Sequence, residues 1–374
     1  MKITFRVDAS LQIGSGHVMR CLTLADALTA RGAQCHFVSR ELGGNLLALI
    51  QQRGYAVDAL PAPTEPTAVA TPEEVKNDSC QRKSYAGWLG VSWVKDAEQT
   101  RHILEKLQPD WLVVDHYALD QRWEAALRPH CKKIMVIDDL ADRVHDCDLL
   151  LDQNLGRQPQ DYKNLVPSQC QVLTGPNYAL LRPEFAVLRP YSLHRRQRPA
   201  LKQLLITMGG VDQPNATGQV LQALKNCTLP ADSKITVVMG LQAPWLEQVR
   251  QLAQDMPWPT DVLVNISDMA QRMADSDLAI GAAGSTSWER CCLGLPAFMV
   301  VLAENQSAIA EAIQGADAAQ ILNIESISSF TCELISALLI NHNQLHNMSV
   351  AASLLVDGLG VERLISHLSA LEKP

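Results

Sequence analysis

Short apolar runs alternate along the chain with stretches whose apolar residues recur at helical spacing. Polar or glycine-containing turns separate them. The pattern predicts ten strands, five in each half, at residues 3–7, 35–38, 111–114, 133–137, 148–151, 203–207, 235–239, 262–264, 278–280 and 298–302. Strands that alternate with helices are typical of βαβ units, in which neighbouring strands run parallel. The predicted fold class is therefore α/β.

The 374 residues favour two domains, and the two halves share a plan. The strand at 203–207 ends in Gly209 and Gly210, and Asn215 is the predicted cap of a following helix. Prolines and a cluster of arginines indicate a linker at 182–198. We therefore expect domains at 1–190 and 199–374, with a ligand cleft where the carboxyl ends of their sheets face each other. Residues 61–85, rich in Pro, Thr and Ala, are interpreted as a surface insertion.

The turn after the first strand carries the most chemical information. Gly14, Ser15 and Gly16 lead into a predicted helix, and His17 lies in its first turn. Glycines allow backbone N–H groups to approach a ligand closely, and a helix N-terminus favours phosphate. A neutral imidazole at this position can take a proton from water near pH 7. Taken alone, this turn is equally compatible with His17 as an ordinary surface or core residue.

Composition narrows the class of ligand. Hydrophobic residues make up 47% of the chain and charged residues 19%, and the formal net charge is −8. This balance argues against a general nucleic-acid or membrane-surface role but permits a local basic pocket for a small phosphorylated molecule. The charged N-terminus does not have the pattern of a signal peptide. Ten scattered cysteines without a CxxC pair predict buried free thiols in a reducing cytoplasm.

Two Asp-x-Asp triplets resemble a metal-binding element, but their positions favour a structural role. Residues 146–148 and 275–277 each directly precede an apolar strand, where solvated turn residues are common. The histidines are too dispersed along the chain to match metal-ligand spacing. No metal is therefore predicted.

Several segments, in this order and spacing, resemble a family of nucleotide-sugar hydrolases along nearly the whole chain. These enzymes release UDP from UDP-2,4-diacetamido-2,4,6-trideoxy-β-L-altropyranose on the route to pseudaminic acid, and they are related to MurG-type glycosyltransferases. The segments that carry the resemblance are residues 6–20, 114–117, 138–139, 178–185, 207–210 and 304–307.

The resemblance implies a GT-B-like fold, with two Rossmann-like domains whose parallel sheets face an interdomain cleft. It also implies that His17 is the general base, and that Tyr117 and Asn305 position water and the sugar. Water would attack the anomeric carbon and invert its configuration. No cofactor is implied. The expected partner is a small UDP-sugar, without nucleic acid or membrane, and the expected state is a monomer.

Further residues are predicted to bind the substrate. In related enzymes the glutamate matching Glu289 holds the ribose hydroxyls, and the small residues before it suit a diphosphate. Asp8 and Asp115 rank behind the residues that touch the substrate, whereas turn capping is the preferred interpretation of Asp138 and Asp139. The complete set of predicted substrate-binding residues is Gly14, Ser15, Gly16, Asp8, Asp115, Gly209, Gly210, Ser285, Thr286, Glu289 and Gln306.

A purely structural role is an alternative for three of the predicted site residues. Tyr117 and Asn305 follow strands and could simply cap turns, and Glu289 could simply favour a helix start. Two other functions are also open. One is a GT-B glycosyltransferase in which His17 deprotonates a sugar hydroxyl, and the other is a non-catalytic protein that binds a UDP-sugar.

Overall fold

The computed structural model describes residues 1–63, 85–241 and 243–371. The chain divides into two compact units. The first comprises Met1–Leu180 together with the C-terminal residues from Leu364, and the second comprises Leu181–Arg363. The predicted insertion at 61–85 lies almost entirely outside the described residues.

The first unit contains a parallel sheet with seven strands in its described part, in the order β3-β2-β1-β4-β5-β6-β7. The strands are β1 Lys2–Val7, β2 Gln34–Arg40, β3 Ala56–Leu60, β4 Trp111–Asp115, β5 Lys133–Ile137, β6 Leu149–Asp152 and β7 Gln171–Thr174. The α-helices are α1 Gly16–Thr29, α2 Leu47–Gln52, α3 Trp93–Leu107 and α4 Gln121–Leu127. Helices between parallel strands cover the sheet and bury it, as the near-continuous apolar strands predict.

The second unit contains a parallel sheet with six strands in its described part, in the order β10-β9-β8-β11-β12-β13. The strands are β8 Gln203–Thr207, β9 Lys234–Met239, β10 Thr260–Val264, β11 Leu278–Ala282, β12 Ala297–Val300 and β13 Ala319–Leu322. The helices are α5 Pro183–Arg195, α6 Ala216–Lys225, α7 Leu246–Gln254, α8 Met269–Asp275, α9 Thr286–Cys292, α10 Ser307–Gly315, α11 Ile327–Ile340 and α12 His342–Leu355. The last helix, α13 Gly360–Leu371, begins in the second unit, and its residues from Leu364 onward group with the first.

All ten predicted strands are present, with ends shifted by a few residues. The pattern missed β3, β7 and β13, which are three of the four edge strands of the described sheets, whereas the fourth, β10, is among the predicted strands. The Asn215 cap is confirmed, because the Asn215 side chain accepts a hydrogen bond from Gly218 N at 3.1 Å. Segment 182–198, predicted as a linker, instead forms α5 within the second unit.

The division of the chain also differs from the predicted domains. The first unit ends at Leu180 rather than at residue 190, and the residues from Leu364 group with it. Within the first unit, Lys133 Nζ bonds to Leu371 O, and Gln171 Nε2 lies 2.7 Å from His367 Nδ1. Local sequence patterns cannot indicate these contacts, because the residues are separated by 238 and 196 positions.

One cysteine pair departs from the prediction of free thiols. Cys227, just after α6, and Cys332, in α11, form a disulfide that joins residues 105 positions apart. The pairing depends on the packing of α6 against α11. Seven other cysteines of the described residues are free thiols: Cys21, Cys35, Cys131, Cys147, Cys170, Cys291 and Cys292.

Sheet register brings the first glycine turn beside the end of a neighbouring strand. β1 lies between β2 and β4, and Val7 pairs with Asp115. The chain then turns through residues 8–15 and enters α1 at Gly16. Two residues 98 positions apart, His17 and Asp115, therefore meet at the carboxyl edge of this sheet.

Candidate active site

The turn between β1 and α1 is held by its own hydrogen bonds. Gly14 N donates to Ser10 O at 2.8 Å, and Ser10 Oγ accepts from the backbone N–H groups of Gln12 and Ile13. Gly14 has φ of 80°, a conformation that strains any residue with a Cβ. Within the described residues the Ser15 side chain does not cap α1. The Ser15 side chain therefore does not satisfy the first N–H groups of this 14-residue helix.

His17 forms a buried pair with Asp115. His17 Nδ1 lies 2.6 Å from Asp115 Oδ1, and His17 is 8% exposed. An ionised carboxylate accepts hydrogen bonds, so Nδ1 carries the proton and donates it to Asp115. This tautomer leaves the lone pair of Nε2 available to accept a proton, which is the arrangement of a catalytic Asp–His pair.

Arg20 secures the same carboxylate from the other side. Its Nε donates to Asp115 Oδ2 and its Nη2 donates to Asp115 Oδ1, both at 2.7 Å. Burial alone would raise the pKa of Asp115, but the charges of Arg20 and His17 outweigh it and hold that pKa well below its usual range. Asp115 is therefore ionised throughout the neutral range and can stabilise a protonated His17.

Tyr117 presents its ring, rather than its hydroxyl, to the histidine. The ring centroids of His17 and Tyr117 are 4.7 Å apart in an edge-to-face arrangement. The Tyr117 hydroxyl donates to Asp139 Oδ2 at 2.7 Å, and Arg20 Nη1 lies 2.8 Å from the same oxygen. Burial, followed by the charge of Asp139, raises the pKa of Tyr117 well above its usual value. This side chain is therefore a hydrogen-bond donor and not a base.

The two aspartates after β5 have different positions, and one of them corrects the sequence interpretation. Asp138 accepts from Ala141 N at 2.8 Å, which is the predicted turn cap. Asp139 instead joins Tyr117 to Arg20 and belongs to the group of residues around His17. Turn capping was therefore the wrong interpretation of Asp139. Its contacts come from distant positions in the chain, so the local pattern did not reveal them.

Asp8 is fully buried beneath the turn. Its Oδ1 accepts from Arg6 Nη1 at 2.6 Å and from Arg40 N at 2.7 Å, and its Oδ2 lies 3.4 Å from His116 Nε2. Burial opposes ionisation, but Arg6 and His116 outweigh it and hold the pKa of Asp8 well below its usual range. Asp8 thus joins the ends of β1 and β2 from inside the protein, and its carboxylate does not face a ligand.

The second unit contains its own glycine turn between β11 and α9. A Cβ at Gly281 would lie 2.6 Å from Thr207 O, so only glycine fits beside β8 at this point. The side chain of Arg290 lies beneath the turn, where its Nη2 donates to Ala282 O at 2.7 Å and to Ser287 Oγ at 2.8 Å. Ser285 and Thr286 form the start of α9. The turn is therefore shaped by backbone contacts and a buried guanidinium.

Glu289 lies in the first turn of α9, with a side chain that is 17% exposed. Arg182 Nη2 is 3.6 Å from Glu289 Oε1. Burial raises the pKa of Glu289, and Arg182 counteracts this only in part. A carboxylate held in this way can accept hydrogen bonds from hydroxyl groups of a ligand.

The loop after β12 approaches the same glycine turn. Gln306 Oε1 accepts from Leu302 N at 3.0 Å, and Gln306 Nε2 would lie 3.9 Å from a Cβ placed on Gly284. Asn305 is half-buried on the same short 3-10 turn, Glu304–Gln306. Gly209, with φ of 85°, and Gly210 follow β8, the strand next to β11. The predicted residues of the second unit thus follow neighbouring strands of one sheet.

Sequence reasoning missed Arg20 and the contacts of Asp139 with Tyr117 and Arg20. One signal was available for Arg20, which lies three residues after His17 and hence on the same face of α1. It also missed an aromatic group beside His17, formed by Tyr85 and Trp88 together with Tyr117. Aromatic residues in a short irregular segment carry no periodicity that would indicate their partners.

The Asp-x-Asp triplets are occupied by protein contacts. Arg128 binds Asp146 at 3.0 Å and Asp148 at 2.5 Å. Asp277 accepts from the backbone N–H groups of Lys202 and Gln203, both at 2.8 Å. Across the part of the chain that the structure describes, no group of three or more His, Cys, Asp or Glu side chains is arranged to hold a metal ion.

No helix among the described residues is long and apolar enough to cross a membrane.

Comparisons with known proteins confirm the resemblance. Residues 203–356 match the model of the glycosyltransferase family 28 C-terminal domain. The chain is similar to UDP-2,4-diacetamido-2,4,6-trideoxy-beta-L-altropyranose hydrolase of Campylobacter jejuni, with 26% identity over 83% of this chain and 95% of that protein. It is also similar to spore coat polysaccharide biosynthesis protein SpsG of Bacillus subtilis, with 27% identity over 55% of this chain.

Two of the relatives extend well beyond the matched region. The match spans 60% of SpsG, and it spans 56% of an uncharacterized protein of Methanocaldococcus jannaschii that is 24% identical over 82% of this chain.

Solved structures establish the fold. Acinetobacter baumannii MurG superposes with a TM-score of 0.66 at 18% identity, covering 99% of both chains. The spinosyn rhamnosyltransferase SpnG, solved with thymidine diphosphate, has a TM-score of 0.64 at 15% identity, covering 98% of this chain and 99% of the other. The fold is therefore GT-B, with one Rossmann-like sheet in each unit.

Proposed function

We propose that this chain hydrolyses a UDP-linked diacetamido-trideoxy sugar, UDP-2,4-diacetamido-2,4,6-trideoxy-β-L-altropyranose, in the biosynthesis of pseudaminic acid. The observation that carries the proposal is the buried His17–Asp115 pair, with Nδ1 and Oδ1 2.6 Å apart, in the first turn of α1. Similarity to the Campylobacter hydrolase over 95% of that protein's length supports the choice of substrate.

In the proposed reaction His17 Nε2 removes a proton from water while the water oxygen attacks the anomeric carbon. The bond between that carbon and the diphosphate oxygen breaks, and its electron pair leaves with UDP. Attack from the side opposite the leaving group inverts the configuration. Asp115 stabilises the imidazolium that forms, because its own charge is maintained by Arg20. His17 then releases its proton to solvent.

The roles proposed for UDP binding fall mainly on the second unit. Glu289 accepts hydrogen bonds from the ribose hydroxyls, and the backbone N–H groups of Ser285 and Thr286 bind the diphosphate. The leaving diphosphate needs charge stabilisation rather than protonation, and the Gly14–Gly16 turn offers further N–H donors. Gln306 contributes a polar contact to the same ligand, and Asn305 positions water and the sugar.

A second candidate function is a glycosyltransferase reaction, in which the same base removes a proton from a sugar hydroxyl. The match of residues 203–356 to the family 28 C-terminal domain favours it. The environment of His17 favours water, because the side chain is only 10% exposed and its ring lies against Tyr117 and near Trp88. Water needs less access than a bulky acceptor.

The test incubates the purified protein with the UDP-sugar alone, in ¹⁸O-labelled water, and analyses both products by mass spectrometry. Hydrolysis at carbon releases UDP without an acceptor and places the label on the sugar. Label on UDP would show attack at phosphorus and overturn the mechanism. UDP release that requires an added sugar acceptor would establish the transferase instead.

A further inference from the structure

An aromatic group lies beside His17 and has no role in the proton transfer proposed above. The rings of Trp88 and Tyr117 are stacked, with centroids 5.5 Å apart and planes inclined by 23°. Tyr85 meets both rings edge-on, at 4.8 Å from Trp88 and 5.2 Å from Tyr117. The centroid of Trp88 is 6.3 Å from that of His17. We call Tyr85, Trp88 and Tyr117 the aromatic wall.

The aromatic wall is accessible on one side and anchored on the other. Trp88 and Tyr85 are half-buried, whereas Tyr117 is 7% exposed. Trp88 lies on the short 3-10 turn Gly87–Leu89, and the next residue, Leu89, is 2% exposed within the core around Trp123. Gly90, with φ of 72°, ends the turn. A large aromatic side chain is thus kept partly in solvent by a segment that is fixed to the core.

Two polar groups lie beside the buried end of the wall. His17 meets the Tyr117 ring edge-to-face, and the guanidinium of Arg143 lies 5.8 Å from the centre of the same ring. An apolar aromatic surface with a few fixed polar groups is typical of a small-molecule binding site. A flat aromatic face packs well against an apolar face of a similarly sized ring.

From this arrangement we propose that Trp88, supported by Tyr85 and Tyr117, binds the apolar face of the substrate's hexose ring, and that the site selects a sugar with a methyl group at C6 in place of a hydroxymethyl group. The inference rests on the proposed function, because it takes a nucleoside diphosphate sugar as the substrate. The face of Trp88 could also stack on a nucleobase. The hexose is the better occupant because the wall contacts His17, the group proposed to act at the anomeric carbon.

The test measures binding rather than turnover, in protein that carries His17→Asn so that the sugar is not cleaved. Titration calorimetry compares UDP with UDP-2,4-diacetamido-2,4,6-trideoxy-β-L-altropyranose in three proteins: the parent, Trp88→Ala and Trp88→Phe. Trp93→Ala is the matched control, because Trp93 is also half-buried in the first unit but contacts Arg122 instead of the wall.

Trp88→Ala is expected to weaken binding of the UDP-sugar roughly 10- to 100-fold, as loss of a buried aromatic contact predicts. Affinity for UDP itself should remain within about twofold, and Trp88→Phe should recover most of the loss because it retains an aromatic face. Trp93→Ala should match the parent for both ligands.

Three results would overturn the inference, and each has a distinct signature. Equal weakening of UDP and UDP-sugar binding by Trp88→Ala would show that the wall contacts the nucleobase instead of the sugar. Unchanged binding of both in a folded variant would leave the wall without a ligand. If the parent binds the UDP-sugar no better than UDP, the sugar is not recognised at all. That failure belongs to the proposed function and appears before any change to Trp88.

The selectivity for a C6 methyl group has its own comparison. The parent should bind the trideoxy UDP-sugar more tightly than its analogue with a C6 hydroxyl, UDP-2,4-diacetamido-2,4-dideoxy-β-L-altropyranose, and Trp88→Ala should reduce that preference. A preference that is unchanged by Trp88→Ala would contradict the proposed role of the wall in selection.

Discussion

The two glycine turns share a backbone plan but differ in their charged groups. Each follows a central strand and opens a helix, at Gly16 in the first unit and at Thr286 in the second. Around the first, Asp115 and Arg20 form a buried charged network with His17. Beneath the second, a buried Arg290 binds a carbonyl and a hydroxyl. The first turn is thus suited to moving a proton, and the second to binding a ligand by its backbone and one carboxylate.

Part of the difference originates in the neighbouring strands rather than in the turns. β1 ends beside β4, whose last residue is Asp115 and carries a carboxylate. β11 instead pairs with β8 at Thr207 and with β12 at Val300, neither of which carries a charge. The same local motif therefore acquires different chemistry from the strand ends that the sheet places next to it. Four predictions test this assignment.

The largest expected effect belongs to the proposed base. His17→Asn should lower kcat by roughly 10²- to 10⁴-fold, because asparagine at the helix start cannot accept the proton. UDP affinity, measured by calorimetry, should remain within about twofold. His36→Asn is the control, because His36 also pairs with an aspartate, Asp58 at 2.8 Å, but lies outside the site. A folded His17→Asn protein that retains more than about a tenth of kcat would refute the assignment.

The next effect concerns the partner of the base. Asp115→Asn should lower kcat by roughly 10- to 10³-fold, less than His17→Asn, because the imidazole remains but loses its orienting charge. Because the folded pKa of Asp115 is held well below its unfolded value of about 4, its stabilising contribution is present above that pH and declines as the pH falls. Denaturant titrations should therefore show a smaller decrease in unfolding free energy between about pH 5 and pH 3 in the variant.

Asp138→Asn separates the loss of a buried carboxylate from the loss of the His17 partner. The charges of Arg143 and His145, against the effect of burial, lower the pKa of Asp138 to about 2. Its side chain bonds to Ala141 N and the Tyr162 hydroxyl rather than to His17. This control should weaken acid stability in a similar way and leave kcat near that of the parent. An equal kcat loss in both variants would indicate a structural effect.

A substitution at the glycine turn of the second unit is expected to have a smaller effect, and this effect should fall on UDP binding rather than on kcat. Glu289→Ala should weaken UDP binding about 10-fold and raise KM while sparing kcat, because the ribose contact is the same in ground and transition states. The raised pKa of Glu289 implies that UDP affinity falls on acidification at a higher pH than for an ordinary glutamate. Unchanged UDP affinity in a calorimetric titration would exclude the ribose contact.

Metal chelation should have no measurable effect. The carboxylates of both Asp-x-Asp triplets are bonded to protein groups, including Arg128 and the backbone of Lys202. We expect helix ends and backbone N–H groups to meet the charge of the diphosphate. The measurement is the rate of UDP release before and after treatment with EDTA. Loss of activity that Mg²⁺ or Mn²⁺ restores would contradict this expectation.

The sequence by itself determined the parts of the molecule that depend on local order. Ten of the thirteen described strands were predictable from the sequence, because each contains a short apolar run or alternating apolar residues, and such a pattern is a property of adjacent residues. The position of His17 in the first turn of α1 and the cap at Asn215 follow equally from neighbouring residues. These features were predictable because side-chain spacing, glycine turns and caps act over a few positions.

Only the tertiary structure decided which distant residues meet. The edge strands β3, β7 and β13 each lack the run of three apolar residues that made the fourth edge strand, β10, predictable, so the local pattern indicates them only weakly. The contacts of His17 with Asp115, of Tyr117 with Asp139, and of Cys227 with Cys332 join residues separated by 98, 22 and 105 positions. Sheet register and helix packing create these pairs, and neither can be inferred from a short stretch of the sequence.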